Sequence, residues 1–160
     1  MEIYHFYSEW HFDAPLPDVQ EELENLENWP TWSSEIRNAS VRGGGRLRTG
    51  AIADVEVKGP LPFVLRFTIE MTDYHPAESA TIRSIGDLVG GGSWSLEPAN
   101  GGTRVKFHWH VGLKSPVLNF LSRLAPVKAL MEQNHHWVMR RTYNGLNEKL
   151  RSKNREQVAV

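Results

Sequence analysis

PVKALMEQNHHWVMRRTYNGLNEKLR, residues 126–151, is the stretch that decides the fold. Val127, Met131, His135, Val138, Thr142, Leu146 and Leu150 recur along it at helical spacing, and Leu124 extends the stripe upstream. Pro126 fits the start of such a helix, where its missing N–H costs nothing. At 1.5 Å per residue the helix would be about 39 Å long, enough to cross a whole sheet. Residues 117–124, between Pro116 and Pro126, read as a short preceding helix. A long amphipathic helix needs a surface on which to bury its stripe, and the rest of the chain must supply it.

That surface reads as β. Over 4–13, Tyr4, Phe6, Trp10 and Phe12 share one face, with His5, Tyr7, Glu9 and His11 on the other. Pro15 and Pro17 end this strand. Pro17 suits a first helical position, and Val19, Leu23 and Leu26 follow at helical spacing in a short helix that ends before Pro30. Further strands are expected at 36–41, 51–57, 63–71, 80–85, 88–96 and 103–111, separated by turn clusters such as Gly43-Gly44-Gly45 and Asn100-Gly101-Gly102. Seven strands joined mostly by hairpins predict an antiparallel sheet.

The length of 160 residues predicts one domain over 1–151, with 152–160 as a frayed polar tail. Net charge is −1, which argues against a nucleic-acid binder. The charge is uneven: Asp18, Glu21, Glu22, Glu24 and Glu27 crowd one short segment, and from Lys114 onward nine bases face three acids. Two solvated helix faces of opposite sign, or a basic face for an anionic partner, would account for this. With no cysteine, disulfides and thiol chemistry are excluded. The N-terminus lacks the features of a signal peptide, and no apolar run reaches the ~18 residues of a membrane span. The expectation is a cytoplasmic protein without an integral membrane segment, monomeric or weakly dimeric.

The order strand, helix, six strands, long helix carries a set of short motifs. They are Phe12-Asp13-Ala14-Pro15, Trp29-Pro30-Thr31-Trp32, Leu61-Pro62-Phe63, and Gly86-Asp87-Leu88 with Gly90 and Trp94. Gly102-Thr103-Arg104-Val105 with Trp109 follows, then Asn134-His135 through Trp137-Val138-Met139 to Gly145-Leu146. In their order and spacing they resemble the START-like, or SRPBCC, superfamily, in its bacterial polyketide cyclase/dehydrase-like branch. The resemblance implies an α+β helix-grip fold, in which a curved seven-stranded antiparallel sheet wraps a long C-terminal helix and encloses an apolar cavity. It implies no single reaction, because the fold serves carriers, receptors and enzymes alike.

Face assignment supplies the candidate site. Phe63, Leu65, Phe67, Ile69 and Met71 should face inward, as should Val105, Phe107, Trp109 and Val111, opposite Met131, His135 and Val138. On the sixth strand Gly90, Gly92 and Trp94 share that face; the glycines either leave room for a ligand or bend the strand. Trp29 and Trp32 would stack on a planar ligand or plug the core. Met139 lies at the edge of the helical stripe. His135 would orient a ligand or move protons, unless a neighbour satisfies it; it is the sole candidate for a catalytic role. Asn134 and Thr142 flank it as further polar candidates, and His136 should point to solvent. His5, His11, His108 and His110 fall on the outer sheet face, where solvated side chains are expected rather than a metal site. Residues 42–48, Arg-Gly-Gly-Gly-Arg-Leu-Arg, lack the lysine and hydroxyl of a phosphate loop and read as a hairpin turn.

These features predict a binder of a small hydrophobic or aromatic, lipid- or polyketide-like molecule that needs no cofactor. A cyclase or aromatase would need at least two polar groups aimed into the cavity. A protein-interaction or co-chaperone domain would need a filled interior and an exposed apolar patch.

Overall fold

The computed structural model describes residues 2–114, 116, 120 and 126–158. Seven strands form one antiparallel sheet: β1 (Tyr4–Phe12), β2 (Ile36–Val41), β3 (Ile52–Val57), β4 (Leu65–His75), β5 (Ser79–Gly86), β6 (Leu88–Ala99) and β7 (Gly102–Leu113). Their order is β1-β7-β6-β5-β4-β3-β2, so consecutive strands are neighbours except at the crossover between β1 and β2. That crossover holds α1 (Leu16–Glu24) and a 3-10 helix (Leu26–Thr31). The long helix α2 (Val127–Val158) closes the described chain.

Alternation sets which face is buried. Along β1, Tyr4, Phe6, Trp10 and Phe12 are buried, while His5, Tyr7 and Glu9 are exposed. Phe6 pairs with Trp109 and Trp10 with Val105, so the inward faces of β1 and β7 coincide. Register slips at Ile36/Asn38 in β2 and at Met71/Asp73 in β4 break the regular pairing. Such irregularities increase local bend and twist, which a sheet needs in order to curl over a helix. On α2, Met131, Asn134, Thr142, Leu146 and Leu150 are buried, as the stripe predicts for all but Asn134.

Several boundaries differ from expectation. The α-helix after β1 stops at Glu24, and Pro30 sits inside the following 3-10 helix. A proline removes one donor, which a short 3-10 turn tolerates better than an α-helical interior. β4 begins at Leu65 rather than at residue 63, because Leu61-Pro62-Phe63 stays in an irregular connection, and it runs on to His75. α2 continues past Arg151 to Val158, so most of the expected polar tail is helical. The short helix expected over 117–124 lies almost wholly outside the described residues.

The uneven charge resolves into contacts between the helices. Lys153 on α2 binds Glu21 at 3.0 Å and lies 4.0 Å from Asp18, both on α1. Glu21 also meets Arg46 at 3.4 Å. The lysine, donating to it first of all, holds the Glu21 carboxyl below its ordinary range. Arg42 is paired with Asp54 through two hydrogen bonds, so the glycine-rich 42–48 turn is tied down by its own cations. No helix among the described residues is long and apolar enough to cross a membrane.

Candidate ligand site

Curling the sheet over α2 leaves a cavity of about 170 Å³ between them. An engineered apolar cavity of roughly 150 Å³ is known to stay dry and admit benzene, so this one has room for at least a ring. β7 contributes Phe107, Trp109 and Val111, β6 contributes Gly92 and Trp94, and β4 contributes Leu65, Phe67 and Ile69. α2 supplies Met131, Asn134, His135, Val138, Met139 and Thr142, and the crossover supplies Trp29 and Trp32. Among the described residues no Asp, Glu, Lys or Arg side chain lines it.

Twelve of the fourteen ligand-site candidates therefore meet around one space: Trp29, Trp32, Leu65, Phe67, Gly92, Trp94, Phe107, Trp109, Met131, His135, Val138 and Met139. The other two are placed elsewhere. Phe63, in the connection before β4, is half-buried and stands edge-on to Phe120 with ring centroids 5.6 Å apart, outside the lining. Gly90 also lies outside it, at φ +145°, and a side chain there would strike the backbone carbonyl of His110. Its lack of a side chain permits close strand approach, not ligand room. Phe6 and Trp10, absent from the sequence candidates, also line the cavity. The register with β7 was the available signal, since those strands share an inward face. Val55, Val57 and Ile82 join them; their strands lack the strong aromatic alternation that marks β1 and β7.

The aromatic walls are mutually packed. Trp29 lies 5.4 Å from Trp32 and 6.4 Å from Trp94, ring centroid to ring centroid. Phe67 meets Trp109 edge-to-face at 6.3 Å, and Trp10 lies 4.5 Å from Phe107. Trp109 also rests against Gly92, so part of the space left by that glycine is taken by an indole. Such contacts fix ring orientation and give a shape that flat apolar molecules match.

Two polar groups of the lining are committed to partners within the protein. Thr142 shares a 3.0 Å hydrogen bond with Ser33, and Trp29 Nε1 donates to the Glu22 carbonyl at 2.9 Å. His135 stacks on Phe6 at 4.4 Å, and its Nε2 lies 3.5 Å from Ser8 Oγ, a long contact. Burial, reinforced by the neighbouring His136, pushes the His135 imidazole down to about 4. It is neutral at physiological pH. Two buried polar atoms have no partner among the described residues of this lining: Trp32 Nε1 and Asn134 Oδ1.

On the outer face, His5 Nδ1 and His108 Nε2 are 3.1 Å apart, and Tyr7 stacks flat on His108 at 4.4 Å. Burial first, then His110 and His5, lower the affinity of His108 for a proton. His11 does not join them; its Nε2 contacts the Ala99 carbonyl at 2.9 Å. Among the described residues no group of three or more potential ligands is disposed to hold a metal ion.

The family model described as polyketide cyclase/dehydrase and lipid transport matches residues 4–151. The chain belongs to this family. No curated protein matches it significantly in sequence. Among solved structures, the family member resembles the Thermus thermophilus protein TTHA0849, with a TM-score of 0.76 and 19% identity over 94% of this chain and 99% of that one. The Zhui aromatase/cyclase from Streptomyces sp. R1128 is similar at a TM-score of 0.69 and 12% identity, over 98% and 96% of the two chains. A START superfamily protein from Mycobacterium smegmatis gives 0.67 and 16%, over 92% and 97%. At these identities the likeness is one of fold, the curled sheet and long C-terminal helix of START proteins.

Proposed function

We propose that this family member binds a small hydrophobic or aromatic molecule, lipid- or polyketide-like, between the sheet and α2. The observation that carries the reading is the cavity itself: about 170 Å³ walled by aromatic and aliphatic side chains, with no Asp, Glu, Lys or Arg among the described residues of its lining. Concave, apolar and sparsely polar is the ordinary make-up of a small-molecule site. The space also weighs against a co-chaperone role that leaves the interior filled.

The family description and the Zhui relative keep an aromatase/cyclase reading in view. The chemistry of His135 argues against it. A proton-transfer catalyst works best with a pKa near the operating pH, and an imidazole pushed to about 4 is a weak base at neutrality. Ser8 and Phe6 hold it as a wall group that can accept a hydrogen bond.

Native mass spectrometry of the protein purified from its own host tests this. Binding predicts a co-purified hydrophobic mass that a lipophilic competitor displaces. No adduct, together with no competitor binding across a lipophilic library, would refute it. His135→Ala separates the two readings: an enzyme would lose turnover and keep affinity, whereas a carrier would show only a modest change in affinity.

A further inference from the structure

The face of α2 that points away from the sheet takes no part in the cavity. Trp137 stands on it 49% exposed, a large apolar ring open to water on a helix whose other side is buried. One exposed apolar side chain is ordinary, so its surroundings decide whether it marks a surface of use. Arg141, one turn on, holds its guanidinium 5.8 Å from the indole centroid. Arg140 and Arg151 are exposed, and helical spacing puts both within about 60° of Trp137 around the axis.

The charge open to solvent on this face is positive. Arg141 donates from Nε to Glu35 at 3.1 Å, but the guanidinium is 52% exposed and the carboxylate only 9%, so the cation is the outer partner. Glu148 is paired with Arg155 at 3.1 Å, and Glu132 lies about 140° around the helix from Trp137. Beside Arg141, the exposed residues Thr31, Ser34 and Asn144 line a polar cleft with it. Thr31 and Ser34 donate to Asn28 and Glu35, which leaves Arg141 and Asn144 as the donors that a phosphate oxygen would accept. The connection after β3 borders the same flank. Gly59 packs on Asn134 and Val138, in the turn that carries Trp137, and Pro60 and Pro62 follow it exposed.

An indole suits the boundary between headgroups and acyl chains, and arginines beside it reach phosphate while their stems cover apolar surface. Going beyond the binding function, we infer that this face of α2 docks peripherally on an anionic lipid bilayer. Trp137 settles at the headgroup boundary, and Arg140, Arg141 and Arg151 meet the phosphates. The cavity lining faces the other way and is left intact.

Co-sedimentation with sucrose-loaded vesicles tests this, using phosphatidylcholine alone and an equal mixture of phosphatidylcholine and phosphatidylglycerol. The protein should partition onto the mixed vesicles about tenfold or more better, and high salt should release it. Arg140→Gln should weaken that binding about fivefold, and Trp137→Ala about tenfold. Both side chains are exposed, so Tm should hold in each variant. Lys106→Gln removes the same charge from the outer face of β7 and should bind as wild type does. Neither Trp137 nor Arg140 lines the cavity, so both variants should keep wild-type affinity for a soluble lipophilic probe. Equal binding to the two kinds of vesicle, wild-type binding by Trp137→Ala and Arg140→Gln, or an equal loss in Lys106→Gln would overturn the inference and leave the binding function standing. So would self-association that Trp137→Ala abolishes in place of vesicle binding, since the face would then be a contact between copies.

Discussion

His135 shows how one residue ties the cavity to solution behaviour. Its imidazole is lowered to about 4 by burial, with His136 adding a smaller push, against about 6.5 in an unfolded chain. Unfolding therefore takes up a proton between those two values. The stabilising contribution is complete above about pH 6.5 and is lost as pH falls toward 4, at up to about 1.4 kcal/mol per pH unit and about 3 kcal/mol in all. His135→Leu should flatten that part of the stability profile, as read by urea unfolding at a series of pH values. An unchanged slope would mean that the ring is solvated and does not belong to the wall. The helical stripe marks this position from sequence, but its partners Phe6 and Ser8 lie on β1, more than a hundred residues away. Periodicity within one element carries no information about which side chains will meet across the fold. The same limit applies to Asn134 and Trp32: local pattern names both, but only the assembled fold shows that each carries a buried polar atom without a partner among the described residues.

The elements were legible because their signals are long and redundant. β1, β4, β6 and β7 alternate strongly, and α2 keeps its stripe from Met131 to Leu150. Less legible were places where the backbone departs from a regular period. Alternation alone assigns Gly90 to the ligand face, yet its φ of +145° and the adjacent His110 carbonyl make it a strand-contact position. Alternation also counts Phe63 into β4, but the two prolines before it leave it in the irregular connection. In sequence Gly145 is only part of a motif; in the structure it lets α2 press against the Trp32 carbonyl. Gly145→Ala should therefore destabilise the protein by about 1–3 kcal/mol despite the better helix propensity of alanine. Displacement of the Trp32 segment should also shift tryptophan emission. A gain in Tm would contradict that packing. Leu146→Ala, at a fully buried position on the same helix, should cost about 2–5 kcal/mol by thermal or urea unfolding.

For the whole molecule, a curled sheet and a long helix enclose a space that neither fills. The fold was readable from the order of its elements, but the existence and size of the space depend on sheet curvature and on how far α2 stands off. Neither quantity is written in hydrophobic pattern. The most direct test of the central claim is a fluorescence titration with N-phenyl-1-naphthylamine on wild-type protein and on Val138→Trp, which adds an indole to the helix wall of the cavity. Binding in the cavity predicts a saturable enhancement of emission at one site per chain, lost in Val138→Trp while Tm is retained. A failure to saturate in the wild-type protein, or equal binding by the filled variant, would contradict it.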